Sequence, residues 1–449
     1  MSLEKTADYI IGSGVGTLYE RLLEQIIPSD STSQIQAESI GRAFIEQYEK
    51  PCKLNAGIRF NYSFEDLQRI SEKYSGKSEK GLNNVLILAL SICGLRIIDD
   101  NSLSLIKPFL GYEKHSRYLR VSGTIKNRRL TMRVVPNSWG DSDALISTRF
   151  TLQGRDVFLD DTKIGELSSL FTASSLKNLA YITKNVKDEY NLNLNPYQLC
   201  AQNCLFCSKG YRHMTKSLRQ SLVNLNPEQI LRYVEKKLPE LNFDLLTEVI
   251  VLTGRYANCD KLLDYVASII TGVRKMSGGK FDPTKNTHQR VKISTHLLAS
   301  KDDMLKAKNI GINRYIYPIE VFNDDLRRRY MTVDSYTDNK GGVPINSVFE
   351  SLEEAISVFG INAVEPVIII GLDSYEDTVR GIQRIKNLGV DILTYSIFRV
   401  YDYDQFEMYR MTFEEIMDVI SIIESTFSSG YKQIIDFDDK LINKLYKKM

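Results

Sequence analysis

The stretch Asn191 to Ser208 reads NLNLNPYQLCAQNCLFCS, an alternating run that passes at once into a loop carrying Cys200, Cys204 and Cys207. The alternation predicts a short strand over Asn191 to Tyr197 that delivers the chain into the cysteine loop. Downstream the pattern repeats as strand, loop and helix. Asn226-Pro227-Glu228 is a helix start, with an asparagine cap and proline at the first helical position. Thr247 to Thr253 (TEVIVLT) reads as a buried strand, followed by a helix over Asp260 to Met276. Further strands are expected at Val291 to Thr295, Arg314 to Glu320, Val364 to Ile370 and Asp391 to Phe398. Helices capped at Ser300 and Ser374, a short one from Asp324 and one over Ser347 to Phe359 separate them. Near-continuous apolar strands joined by helices fit a parallel sheet covered on both faces, with right-handed crossovers. The expected architecture is therefore α/β, a partial (β/α)6 barrel. Its working rim lies at the carboxyl ends of the strands, where the cysteine loop falls.

Outward from this unit the pattern changes. Gly16 to Ile27, Gln34 to Tyr48 and Ser63 to Tyr74 have helical spacing, and Asn83 to Leu95 reads as a buried apolar helix. Tyr118 to Ile125, Arg129 to Val135, Ala144 to Leu152 and Asp156 to Leu159 read as short strands of an antiparallel sheet, separated by turns such as Lys126-Asn127-Arg128. Three domains are expected: an N-terminal α+β domain over 1–165, the barrel over 190–402 and a C-terminal helical extension over 403–449. Thr412 and Glu415 form a capping box for the extension's helix. Gly12-Ser13-Gly14-Val15-Gly16 follows no strand and reads as a flexible helix start rather than a nucleotide loop.

With 449 residues, 43% of them apolar and 25% charged, the chain suits two domains with sizeable cores. A net charge of +2 argues against nucleic-acid binding driven by counterion release. Met1 to Tyr9 lacks the apolar core of a secretory signal. The longest apolar stretch, Val85 to Leu95, is well short of the ~20 residues that span a bilayer. No membrane association and a cytoplasmic location are expected. Of the six cysteines, Cys52, Cys93 and Cys259 are scattered and three are clustered, which is no disulfide framework.

The cluster has the form C-x3-C-x2-C, with Phe206 just before its last member. Three thiolates in one loop suit three irons of a cubane iron–sulfur cluster and leave the fourth iron open for chemistry. This arrangement resembles the signature of the radical S-adenosylmethionine enzymes, over roughly Asn191 to Asp402. The resemblance implies a radical-SAM-type barrel with a 4Fe–4S cluster on Cys200, Cys204 and Cys207, and S-adenosyl-L-methionine as cosubstrate. Phe206 would shield the cluster and help place the adenine. By the same resemblance Gly254 and Arg255 occupy the place of a Gly-Gly-Glu-like stretch at the methionine amino group, with one glycine kept and the acid replaced by Arg255. Glu320 and Asn323, in the stretch Ile319 to Leu326, correspond to polar residues against the ribose. Gly371 keeps the closing glycine of a Gly-x-Ile-x-Gly pattern beside the adenine, and Val367 replaces the first. Arg399, or one of Arg327 to Arg329, corresponds to a partner for the methionine carboxylate.

The implied activity is reductive cleavage of S-adenosylmethionine and hydrogen abstraction from a small-molecule or peptide substrate. A one-electron donor such as flavodoxin or ferredoxin would serve as the protein partner. An RNA- or protein-modifying enzyme of the same chemistry is an alternative, weakened by near-neutral charge. Another is a zinc-stabilised, non-catalytic binding or scaffold protein with His213 as fourth ligand. Zinc sites usually build from Cys-x-x-Cys pairs, and the loop contains one such pair. Cys259 could complete a four-cysteine electron-transfer cluster or be an ordinary part-buried thiol. His296 could face substrate or serve the scaffold.

Overall fold

The computed structural model describes residues 62–106, 111–112, 119–126, 128–136, 148–171, 180–184, 188–195, 204, 206, 226–238, 241–252, 259–295, 298, 300–331, 340–398, 411–427 and 432–433. The two helices expected before residue 50 lie outside this set.

Helices α1 (Phe64–Ser75) and α2 (Glu79–Cys93) open the described chain. Each starts at a serine whose hydroxyl accepts an otherwise unpaired amide: Ser63 from Asp66, and Ser78 from Gly81. Gly94, at φ 79°, stops α2 in a conformation open to glycine, and the chain passes directly into strand β1 (Leu95–Ile97). Leu95 thus belongs to a strand and not to the helix expected through it. After α3 (Asp100–Ile106) come β2 (Gly111–Tyr112), β3 (Leu119–Ile125), β4 (Arg128–Pro136), β5 (Phe150–Gln153), β6 (Asp156–Leu159) and β7 (Thr162–Phe171). Their order is β2-β3-β4-β1-β5-β6-β7, and a further pairing of β3 with β7 closes the ring. β1 runs parallel to β4 and β5, while the other pairs are antiparallel. The expected antiparallel sheet is therefore corrected to a small closed barrel of mixed direction, extending to Phe171. Closure removes the exposed edges that an open sheet would leave. Leu95, Ile97, Ile125, Met132, Val134, Leu152, Val157, Leu159 and Leu167 are fully buried.

A second sheet begins with β8 (Ala180–Lys184) and β9 (Tyr190–Leu194). It continues through α4 (Pro227–Lys237), β10 (Leu246–Leu252), α5 (Cys259–Met276), β11 (Arg290–Ser294), α6 (Lys301–Asn309) and β12 (Arg314–Glu320). Then follow α7 (Asp324–Met331), α8 (Ile345–Phe359), β13 (Val364–Ile370), α9 (Tyr375–Asn387), β14 (Thr394–Ile397), α10 (Phe413–Thr426) and β15 (Lys432–Gln433). The strands lie in chain order, β8 at one edge and β15 at the other, and every pair from β9 to β15 is parallel. Six parallel strands were expected; β15 adds a seventh from the presumed helical extension, and β8 pairs antiparallel on β9. The caps at Asn226, Ser300, Ser374 and Thr412 all form as the sequence predicts.

The two faces of the sheet differ in chemistry. On β12, Tyr317 donates its hydroxyl to Val348 O (2.8 Å) and Tyr315 packs 5.8 Å from the Phe359 ring, so this set faces α8. Alternate residues face the other way. There Lys292 Nζ lies 2.8 Å from Glu365 and 3.4 Å from Glu248. The hydroxyl of Thr394 donates to Glu365. Lys292 sits on β11 and Glu365 on β13, two strands away across ~10 Å, which two long side chains bridge most easily on a concave face. Burial alone would draw the Lys292 ammonium down, but Glu365 and Glu248 outweigh it and push its pKa up to about 12. The inner face of the half-barrel thus carries a charged cluster.

The N-terminal helices meet the C-terminal one. Tyr62 accepts from Phe413 N (3.2 Å), Tyr74 donates to Asp418, and Lys73 lies 3.4 Å from Asp418. Among the described residues no helix is long and apolar enough to cross a membrane.

Lys292→Met should lower stability by about 3 kcal/mol, because it removes the ammonium held between two carboxylates at roughly one-tenth exposure and leaves their charge to Arg314 and the Thr394 hydroxyl. Urea denaturation followed by circular dichroism measures this. A loss under 1 kcal/mol would mean that Glu248 and Glu365 do not depend on the ammonium.

Candidate active site

Glu320, Asn323 and Gly371 of the expected site lie at the carboxyl ends of β12 and β13. Cys204 and Phe206, just past β9, are both 8% exposed, and Cys204 forms no disulfide. Cys200, Cys207, Gly254, Arg255, Arg399, His213 and His296 lie outside the described residues. Among the described residues no three histidine, cysteine or acidic side chains converge as a metal site. Cys259 opens α5 half-buried; burial and Asp303 push its thiol up to about 12, so it stays protonated.

The end of β12 is the best-defined part of the rim. Its pairing with β13 slips between Pro318 and Glu320. Glu320 itself has φ 66°, in the left-handed region that a glutamate adopts at a cost of roughly 1–2 kcal/mol. Val321 N donates back to Ile319 O at 2.9 Å, closing a tight turn around it. Arg327, 1% exposed on α7, holds this turn open: its Nη1 donates to both Ile319 O and Val321 O at 2.9 Å. Nη2 donates to Lys340 O (3.1 Å) and Nε to Val343 O (3.3 Å). Burial draws the Arg327 pKa below its ordinary value, opposed by Glu320 and Asp324. Lys340 Nζ in turn donates to the Glu320 carboxylate.

The next two amides are taken by the neighbouring strand. Asp373 follows β13 and is fully buried; Oδ2 accepts from Phe322 N (2.7 Å) and Oδ1 from Asn323 N (3.0 Å). Gly371, at φ 102°, makes the turn that brings Asp373 there. Phe322 then lies against α9 at Gly381, where an added Cβ would come within 2.4 Å of its ring. Burial pushes the Asp373 carboxyl up to about 6, while the two amide donors hold it down.

Of the expected site residues, Glu320 is a rim carboxylate 20% exposed. Asn323 caps α7: its Oδ1 accepts from Asp325 N (3.0 Å) and Leu326 N (3.2 Å), and Nδ2 donates to Asp377 (3.2 Å). Its side chain is committed to the scaffold. Arg327 is occupied by four carbonyls, which corrects its candidacy as a carboxylate partner, and Arg328 pairs with Asp325 on the exposed face of α7. Sequence reasoning missed Lys340 and Asp373. The acidic residue two places past Gly371, which closes the run Ile368-Ile369-Ile370-Gly371, was the available signal for Asp373.

No protein-family model and no curated protein matches this chain. Its fold is similar to solved structures of HydG, a maturase of the [FeFe]-hydrogenase, at 17% identity and TM-score 0.41, over 53% of this chain and 50% of that one. HydG from Carboxydothermus hydrogenoformans aligns at the same identity and score, over 56% and 55%. Streptococcus suis SuiB bound to S-adenosylmethionine aligns at 11% identity and TM-score 0.35, over 54% and 49%. The chain spans about half the length of these structures.

An unfolded aspartate titrates near 3.8, so between about pH 4 and 6 the folded protein retains the Asp373 proton that the unfolded chain releases. The stabilisation from this group is full below pH 4 and is lost as pH rises toward 6. Asp373→Asn, which sets an amide donor against a backbone N–H, should cost about 1–3 kcal/mol at pH 4. The gap between wild type and variant should narrow by on the order of 2–3 kcal/mol by pH 6.5. Isothermal denaturation at the two pH values measures it, and parallel curves would contradict the assignment.

Proposed function

We propose that the protein is a radical S-adenosylmethionine enzyme, with Cys200, Cys204 and Cys207 holding a 4Fe–4S cluster at the mouth of the half-barrel. The observation that carries this reading is the C-x3-C-x2-C motif that follows β9 in the sequence, with Cys204 and Phe206 both buried. The donor set fits the group. Three thiolates within one short loop match an open-iron cubane, and a parallel half-barrel collects polar residues at the same strand ends.

The bound cluster and S-adenosylmethionine would supply reductive carbon–sulfur cleavage and a hydrogen-abstracting species. The protein's part is to bind, orient and shield. Phe206 excludes water beside the loop. Glu320, held in place by the grip of Arg327 on its flanking carbonyls and by Lys340, offers carboxylate oxygen to hydroxyl groups at the rim. Gly254, Arg255, Gly371 and Arg399 complete the cosubstrate contacts, with Arg399 at the methionine carboxylate. Asn323 supports them by capping α7. A small molecule or peptide is the substrate, and a flavodoxin- or ferredoxin-like donor supplies the electron.

Anaerobic reconstitution with iron and sulfide, followed by dithionite and S-adenosylmethionine, should release 5′-deoxyadenosine. Cys204→Ala should lower that release at least 100-fold, with the circular dichroism spectrum unchanged. Equal release from Cys204→Ala, or a colourless protein carrying one zinc, would remove the reading.

A further inference from the structure

Three side chains at the end of β12 form one unit. Arg327 fixes the carbonyls of Ile319 and Val321, which flank Glu320, and with the other arm of the same guanidinium fixes the carbonyl of Lys340. The backbone of the acid and the backbone of its cationic partner are thus anchored to one buried group. Glu320 holds a left-handed conformation that a glutamate disfavours, and Lys340 is only 10% exposed although lysine is normally solvated. A surface ion pair needs neither feature. Strained backbone over-determined by its surroundings is a mark of a functional site.

The carboxylate itself has capacity to spare. Among the described residues Lys340 is the one hydrogen-bond partner of Glu320, and it takes Oε2, leaving Oε1 as an acceptor. A carboxylate pinned by one oxygen and open at the other suits a neutral ligand bearing hydroxyl donors, such as the vicinal diol of a nucleoside sugar. A ligand cation at this point would compete with Lys340.

We infer that Lys340 is a positioning residue for cosubstrate binding: it holds Glu320 so that Oε1 accepts from the sugar hydroxyls of a nucleoside ligand. The inference rests on the radical S-adenosylmethionine reading, and adds a residue brought to the rim from beyond α7. Lys340 acts through Glu320 and does not touch the ligand. Its removal therefore weakens binding even though it unmasks a carboxylate oxygen.

The test is equilibrium binding of S-adenosylhomocysteine, which is not cleaved reductively, to anaerobically cluster-loaded full-length protein. Lys340→Met should raise Kd about tenfold, the size expected for one charge-assisted contact. Lys340→Arg, which keeps the charge, should stay within about threefold of wild type. Glu320→Gln should match Lys340→Met, and combining the two should add no further loss, because both act on one contact. Unchanged or tighter binding by Lys340→Met, or fully additive losses, would overturn the inference. Should Lys340→Met not fold, a tenfold loss in Lys340→Arg with an unaltered melting midpoint would overturn it equally. If cluster-loaded wild type fails to bind S-adenosylhomocysteine and forms no 5′-deoxyadenosine, the enzymatic reading itself fails. Wild-type binding with insensitive variants removes the role of Lys340 alone.

Discussion

Every strand of a parallel sheet ends with backbone groups that its neighbours no longer pair, and where that end is buried each group must find a partner. The carboxyl end of β12 meets this constraint with two opposite charges. The Asp373 carboxylate takes the amides of Phe322 and Asn323, and the Arg327 guanidinium takes the carbonyls of Ile319 and Val321. Between them they hold the turn that contains Glu320. Loss of either would leave buried donors or acceptors unsatisfied, and the left-handed backbone at Glu320 would relax. Much of the rim geometry follows from these two residues. Asp373 ties β12 to β13, while Arg327 ties β12 to the segment around Lys340 and Val343.

The inner face of the half-barrel follows the same rule in another form. A cavity lined by apolar strands would ask nothing of Lys292, yet the ammonium lies between Glu248 and Glu365 with Thr394 donating to the latter. Buried pairs of this kind add little net stability against an apolar replacement, and breaking one is costly. Lys292 links β10, β11 and β13 across the inner face. Polar groups on the concave face also leave that face compatible with a polar ligand, whereas the helix-facing set on the same strands is almost wholly apolar.

Much of this fold was legible in the sequence because local chemistry and tertiary context agree. Arg314 to Glu320 and Val364 to Ile370 are apolar runs of strand length, and both form strands with those bounds. The caps at Asn226, Ser300, Ser374 and Thr412 were readable because an N-cap needs only its own helix. Elements that depend on distant partners were not. β15 is two residues long and exists only by pairing with β14, and β1 is concealed in an apolar run that Gly94 divides. The candidate site divides in the same way. Three cysteines and Phe206 stand in one loop and carry their own signal. Lys340 and Asp373 reach Glu320 and the β12 turn from 20 and about 50 positions away, so no local pattern announces them.

The cysteine loop is the point on which the functional account stands. Mössbauer and electron paramagnetic resonance spectra of anaerobically loaded protein, taken before and after S-adenosylmethionine is added, test it most directly. The account predicts about four irons per chain in one cubane, with a single iron site that shifts when S-adenosylmethionine binds. A cluster whose spectrum ignores S-adenosylmethionine, or a loop that takes up zinc and no cluster, would contradict it.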